Sequence, residues 1–80
     1  MGIEKNVFII FGEKYTEELV RDELLAEGYP YNFVFATSVK QDVAGFYMHN
    51  ANEIWVFGDV EDDYNYKLAV ELGRDIWRMG

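Results

Sequence analysis

Three apolar runs govern what this chain can fold into, because none of them alternates. Asn6–Phe11 reads NVFIIF, Asn32–Thr37 reads NFVFAT and Glu53–Phe57 reads EIWVF. A strand wetted on one face alternates apolar and polar side chains. A continuous run of branched and aromatic residues is expected where both faces are buried. Each run is followed by a glycine or polar break and then by a helical pattern. Strands alternating with helices imply parallel pairing with helices on both faces, and right-handed crossovers leave few strand orders. The expectation is one α/β domain over 1–80: a small three-layer sandwich with three helices and a parallel sheet of three to four strands in the order 2-1-3-4.

The helix signals fit that frame. The first helix is expected from about Thr16 to Glu27, with Thr16 as cap and Glu17 and Glu18 at the positive end of the dipole. Val20, Leu24 and Leu25 form its apolar stripe; Gly28 stops it and Pro30 prevents its resumption. The second helix is expected to start at Ser38, which has capping-box spacing to Gln41. Val39, Val43, Phe46 and Tyr47 follow at i, i+4, i+7 and i+8, a single apolar face, and Gly45 weakens the helix by roughly 0.5–1 kcal/mol relative to alanine. The third helix is expected from near Asp62 to Gly73, burying Tyr66, Ala69 and Val70. Gly73 is a good stop, so DIWRM (Asp75–Met79) is read as a fourth strand.

Composition narrows the function classes. Half of the 80 residues are hydrophobic and 18% aromatic, which argues for a core and against disorder. No cysteine is present, which excludes disulfides, a thiolate nucleophile and a cysteine metal site. The one histidine, His49, sits in a polar HNAN stretch and reads as a surface turn residue. No apolar run approaches about 18 residues and no basic-then-apolar leader pattern is seen, so a cytoplasmic protein is expected, in the host cytoplasm if phage-encoded. Fifteen acids against seven bases give −8. Such a chain repels nucleic acid and anionic membranes and attracts basic partners; the plainer account of the charge is solubility.

The acids are clustered. Glu13, Glu17, Glu18, Asp22, Glu23 and Glu27 are opposed only by Lys14 and Arg21. Glu18–Asp22 and Glu23–Glu27 are like-charge i,i+4 pairs, which an isolated helix disfavours. The stretch EIWVFGDVEDDYN then places Asp59, Glu61, Asp62 and Asp63 just beyond the third strand. Both groups follow strand carboxyl ends, so they are expected at one end of the sheet as one negative surface. Asp62 and Asp63 also suit the N-terminus of a helix, and Asp59 with Asp63 has the makings of a carboxylate pair for acid–base work or Mg²⁺. Gly12 and Gly58 permit close backbone approach at the same end, and Thr37 and Ser38 offer hydroxyls. There is no G-x-G-x-x-G and no Walker A motif.

HNANEIWVFGDVEDDYNYKLAVELG (His49–Gly73) resembles the second half of the nucleoside 2-deoxyribosyltransferase-like domains, a Rossmann-like group that includes many small phage proteins. The likeness lies in an apolar strand, an acidic or glycine loop and a helix closing with A-x-x-x-G, here Ala69 and Gly73; NVFIIFG suits the group's first strand. It implies the fold and a pocket drawing on Gly12, Ser38, Gly58, Asp59 and Asn65. Counting back from Gly73, the group's nucleophilic glutamate falls at Asn65, and an amide cannot attack an anomeric carbon. The resemblance thus implies the fold without the chemistry.

In size, acidity and lack of catalytic groups the chain also resembles, in type, phage-encoded DNA mimics that disable host nucleoid or replication proteins. The reading reached from sequence is a non-catalytic acidic interaction protein without cofactor or metal. It would present Glu13, Glu17, Glu18, Asp22, Glu27, Asp59, Glu61, Asp62 and Asp63 to a basic DNA-binding protein, with no direct nucleic-acid or membrane binding. The alternative is a nucleoside- or nucleotide-binding protein, or an enzyme, of the deoxyribosyltransferase type. Six tyrosines exceed what short strands can bury and suit interfaces. A homodimer is therefore expected, through an edge strand bearing Trp77 or the aromatic face of the second helix.

Overall fold

The computed structural model describes residues 5–79. Its elements run β1 (Asn6–Phe11), α1 (Glu17–Glu27), β2 (Asn32–Phe35), a 3₁₀ turn (Ala36–Ser38), α2 (Gln41–Asn50), β3 (Glu53–Phe57), α3 (Tyr64–Glu71) and β4 (Ile76–Arg78). All pairings are parallel and the order is β2-β1-β3-β4, as expected. β1 and β3 form the central pair, in register from Val7↔Glu53 to Phe11↔Phe57.

The pleat divides the core in two. Phe8, Ile10, Ile54 and Val56 point to the face covered by α2 and α3, through Met48 and Ala69. Val7, Ile9, Trp55 and Phe57 point to the opposite face, where α1 supplies Val20 and Leu24. Tyr29, Tyr31 and Phe33 extend that second layer: their rings lie 4.9, 6.0 and 5.7 Å from Trp55. Tyr15, Tyr29, Tyr31 and Tyr66 thus serve the core, and only Tyr47 and Tyr64 are exposed, so the tyrosine surplus is smaller than the sequence suggests.

Several local expectations are corrected. β2 ends at Phe35, not Thr37, because the chain turns into the 3₁₀ segment there. Ser38 ends that turn rather than capping α2, whose cap is Lys40 with no side-chain hydrogen bond. The stripe of α2 is rotated: Ala44 and Met48 are buried, whereas Phe46 is 67% exposed and Val43 and Tyr47 each 41%. Only Val39, before the helix, packs against the core. What α2 buries is a methyl and a flexible thioether, not aromatic rings. Leu25 is 77% exposed because Leu24 already fills the α1 seam, and Val70 is exposed beside buried Ala69. α3 starts at Tyr64, capped by Asp63, and ends at Glu71 before Gly73 at φ 71°. His49 lies in the last turn of α2 rather than in a loop.

The carboxyl end of α2 is closed by a residue with no local sequence signal. Arg74, from the connection between α3 and β4, donates Nη1 to the carbonyls of Met48 and His49 and Nη2 to those of Ala51 (2.6 Å) and Asn52 (3.4 Å). A guanidinium there satisfies orphan carbonyls and opposes the negative end of the dipole. At the strands' amino ends, Glu53 accepts from Lys5 Nζ (2.9 Å) and Trp55 Nε1 (2.8 Å), and Lys5 also stands 4.7 Å over the Tyr31 ring. The Lys5 hydrogen bond, then that of Trp55, holds the Glu53 carboxyl below its ordinary range.

Charge-assisted hydrogen bonds contribute about 1.5–3 kcal/mol each, but these are shared and half-exposed. Arg74→Ala should therefore cost about 2 kcal/mol, read as a fall in Tm of roughly 8–16 °C for a domain of this size, with Arg74→Lys intermediate. The depressed Glu53 carboxyl contributes stability above its unfolded value of about 4.3 and loses it as pH falls through the lower folded value. The stability gap between wild type and Glu53→Gln should be full at neutral pH and close in strong acid, as urea melts across pH will show.

Candidate functional site

The crossovers leave the two central strands in opposite directions: β1 leads to α1 on one face, and β3 leads to α3 on the other. A crevice opens between their carboxyl ends, the place where open parallel sheets usually receive ligands. It encloses about 660 Å³. Its floor is Phe11, Gly12, Tyr15 and Gly58, and its rim is Glu13, Lys14, Asp59, Asp62 and Asp63.

The floor is locked by close packing. The Gly12 amide donates to the Phe57 carbonyl at 2.9 Å, and a Cβ on Gly12 would stand 2.5 Å from the Asp59 carbonyl oxygen. Gly58 has φ 79°, and a Cβ there would come 2.9 Å from the Tyr15 ring. Tyr15 meets Phe57 edge-on at 5.9 Å. Both glycines therefore let two loops cross, whether or not a ligand approaches.

The acidic loop hangs on one apolar residue. Val60 is fully buried among Ile10, Val56 and Ala69, and its carbonyl accepts from the Asp63 amide at 2.9 Å. With Val60 inside, Asp59, Glu61 and Asp62 are left exposed. Asp63 Oδ1 accepts from the amides of Asn65 (2.8 Å) and Tyr66 (3.3 Å), so it caps α3; Asp62 does not share that role.

The expected partner-binding residues fall into three places. Glu13, Asp59, Asp62 and Asp63 meet at the crevice. Glu17 stands at the first turn of α1, where it accepts from Arg21 (2.8 Å) and Thr37 Oγ1 (3.0 Å). Arg21 first, and Thr37 after it, lower the pKa of its carboxyl. The Thr37 hydroxyl is thus engaged within the chain. Glu18, Asp22 and Glu27 continue along exposed α1, whose 11 residues carry Glu27 about 15 Å away along the helix axis. Among the described residues only Glu17 and Glu61 of this set pair with a cation, Glu61 lying 3.9 Å from Arg78. No charged residue is buried among the described residues. Acids thus stand both at the crevice and along the exposed side of α1, which begins four residues after Glu13.

Of the residues expected for a small-molecule pocket, Gly12, Gly58 and Asp59 meet at the crevice; Ser38 and Asn65 do not line it. Asn65 Oδ1 is buried without a hydrogen-bond partner among the described residues. Tyr15 and Val60, which shape the crevice, carry no motif that marks them in the sequence. Their apolar character amid charge was the available signal. No group of three or more candidate ligands is placed to hold a metal ion among the described residues, and no described helix is long and apolar enough to cross a membrane. No protein-family model matches the chain, and neither curated proteins nor solved structures match it.

Gly12→Ala and Gly58→Ala should each destabilise by about 1–3 kcal/mol, through the Asp59 carbonyl clash and the positive φ respectively. In Tyr15→Ala the Gly58→Ala penalty should shrink by the part owed to the ring, which a double-mutant cycle by urea denaturation will measure.

Proposed function

We propose that the chain is a non-catalytic acidic interaction protein that occupies the cationic DNA-binding surface of a basic bacterial protein and so keeps nucleic acid away. One observation carries this reading: the carboxylates from Glu13 through α1 and the 59–63 loop are exposed, save half-buried Glu17 and Asp63, and all but Glu17 and Glu61 are without cationic partners among the described residues. A rigid scaffold that holds fixed negative potential in this way steers basic partners and excludes acidic ones. Like-charge pairs on α1 cost its own helix stability, which a binding role would offset. Pairing of two copies would present two such surfaces. The phage-type origin and host-cytoplasmic location suggested by the sequence belong to the same proposal.

A second reading, from another class, rests on the crevice. Its volume falls within the range of small-molecule sites. Four carboxylates against Lys14 make it hostile to phosphate but suited to hydroxyl donors, so an uncharged nucleoside fits better than a nucleotide. A deoxyribosyltransferase-type relationship would place such a ligand here.

Competition against labelled duplex DNA bound to small basic nucleoid-associated proteins tests the first reading. The chain should displace the DNA at low salt and lose that ability as salt rises, because screening shortens the reach of surface charge. Reversal of Glu17, Glu18 and Asp22 to lysine should weaken displacement at least tenfold with the fold intact; unchanged competition would reject this surface. A nucleoside that raises Tm, with no displacement of DNA, would favour the second reading.

A further inference from the structure

We propose that the β4 edge of the sheet, with the cleft between β4 and α1, takes an extended basic peptide as a fifth strand. This goes beyond the reading above and does not depend on it. Of the acids named there it uses only Glu27, at the end of α1 farther from the crevice.

The observation is an open strand edge beside a partly apolar cleft. Among the described residues β4 pairs only with β3, so its other side is free. The Met79 amide donates to the Val56 carbonyl at 2.8 Å. Bonding alternates along a strand, so Trp77 shares that inner side, and the backbone groups of Ile76 and Arg78 face outward. Such a row is a template for another strand. Trp77 stands in register with Trp55, which puts its side chain on the α1 face, where it is 53% exposed. On the same face a cleft of about 220 Å³ is lined by Leu24, Tyr29, Phe57 and Met79 and by the carboxylate-bearing Glu23 and Glu27.

Charge selects a basic occupant for this edge and not for the other. Glu23 and Glu27 are an exposed like-charge pair one turn apart, and neither has a cationic partner among the described residues. The one base of α1, Arg21, lies on the opposite flank, 4.6 Å over the Phe35 ring of β2 and paired with Glu17. Lys5 stands over the Tyr31 ring, just before β2. On the α1 face the β2 edge thus carries cations and the β4 edge carries carboxylates. Arg78, the one base within β4, is turned to the other face, where it donates to the Tyr66 hydroxyl at 3.0 Å. A peptide strand with arginine or lysine at alternate positions would set its charges on Glu23 and Glu27 and lay their alkyl stems over Trp77 and Met79, while its backbone pairs with β4. The β4 strand of a second copy would bring only one base, Arg78, which is already engaged.

Isothermal titration calorimetry with an octapeptide of alternating arginine and valine tests the assignment. At low salt the peptide should bind in the micromolar range, shift the Trp77 emission to the blue and be released as salt rises. Glu23→Gln with Glu27→Gln should weaken binding at least tenfold. Glu18→Gln with Asp22→Asn removes the same number of charges from another like-charge pair of α1 and should change it less than twofold. Losing either repulsion favours the helix, so Tm should not fall in either variant. N-methylation of the peptide at one alternate set of residues should abolish binding, and at the other set should leave it, because only one set turns its amides to β4. Equal losses from the two double variants, equal effects of the two methylated sets, or no binding at low salt would overturn the assignment.

Discussion

Burial of the β1–β3 pair on both faces is the constraint from which the rest of the structure follows. Val7 to Ile10 and Ile54 to Phe57 are all buried. A strand pair closed on both sides needs helices on both sides, and parallel pairing makes each helix a crossover. α1 must therefore leave β1 toward one face, and α3 must leave β3 toward the other. The gap between those departures is the crevice. It exists because of the topology, before any residue in it is chosen.

What fills the rim is a matter of charge and anchoring. Val60 draws the middle of an acidic loop into the core, and the acids around it can only face water. Gly12 and Gly58 let that loop cross the one after β1, with Tyr15 wedged between. The outcome is a carboxylate cluster on well-packed supports, at the end of the sheet from which α1 departs. Rigid placement matters for an electrostatic surface, since charges on a mobile loop spread their potential over many positions. Arg74 plays the opposite part: it is drawn inward to the α2 carbonyls and away from the acids. Lys5 and Arg74 are thus engaged at Glu53 and at the α2 terminus, whereas Arg21 and Arg78 each pair with one acid of the candidate surface and Lys14 stands at the crevice rim.

The residues at which local pattern and tertiary structure disagree share a cause. In α1 the cap at Thr16, the stop at Gly28 and the core residues Val20 and Leu24 were legible, because local signals and burial agree. In α2 they conflict. The most regular apolar stripe, Val43–Phe46–Tyr47, faces outward, while Ala44 and Met48, which carry less hydrophobic surface, fill the seam. Periodicity identifies an amphipathic helix; it does not say which of two adjacent faces meets the sheet. The capping pair Ser38 and Gln41 failed for a related reason, since the 3₁₀ turn uses Ser38 before the helix begins. The crevice was legible as a location, and four of its five rim residues, Glu13, Asp59, Asp62 and Asp63, as candidates. Tyr15 and Val60 were not, because their roles depend on loops that meet only after folding.

Strand burial, element order, the 2-1-3-4 sheet and the surplus of negative charge were determined by the sequence itself. Each depends on hydrophobic pattern and turn chemistry within a few residues, or on a sum over all of them. Only the tertiary structure decided which face of α2 looks outward, which arginine closes its end, and which acids stand together. Those outcomes depend on contacts across 20 or more residues of chain, as the Arg74 bonds to the end of α2 show, and no local pattern encodes them.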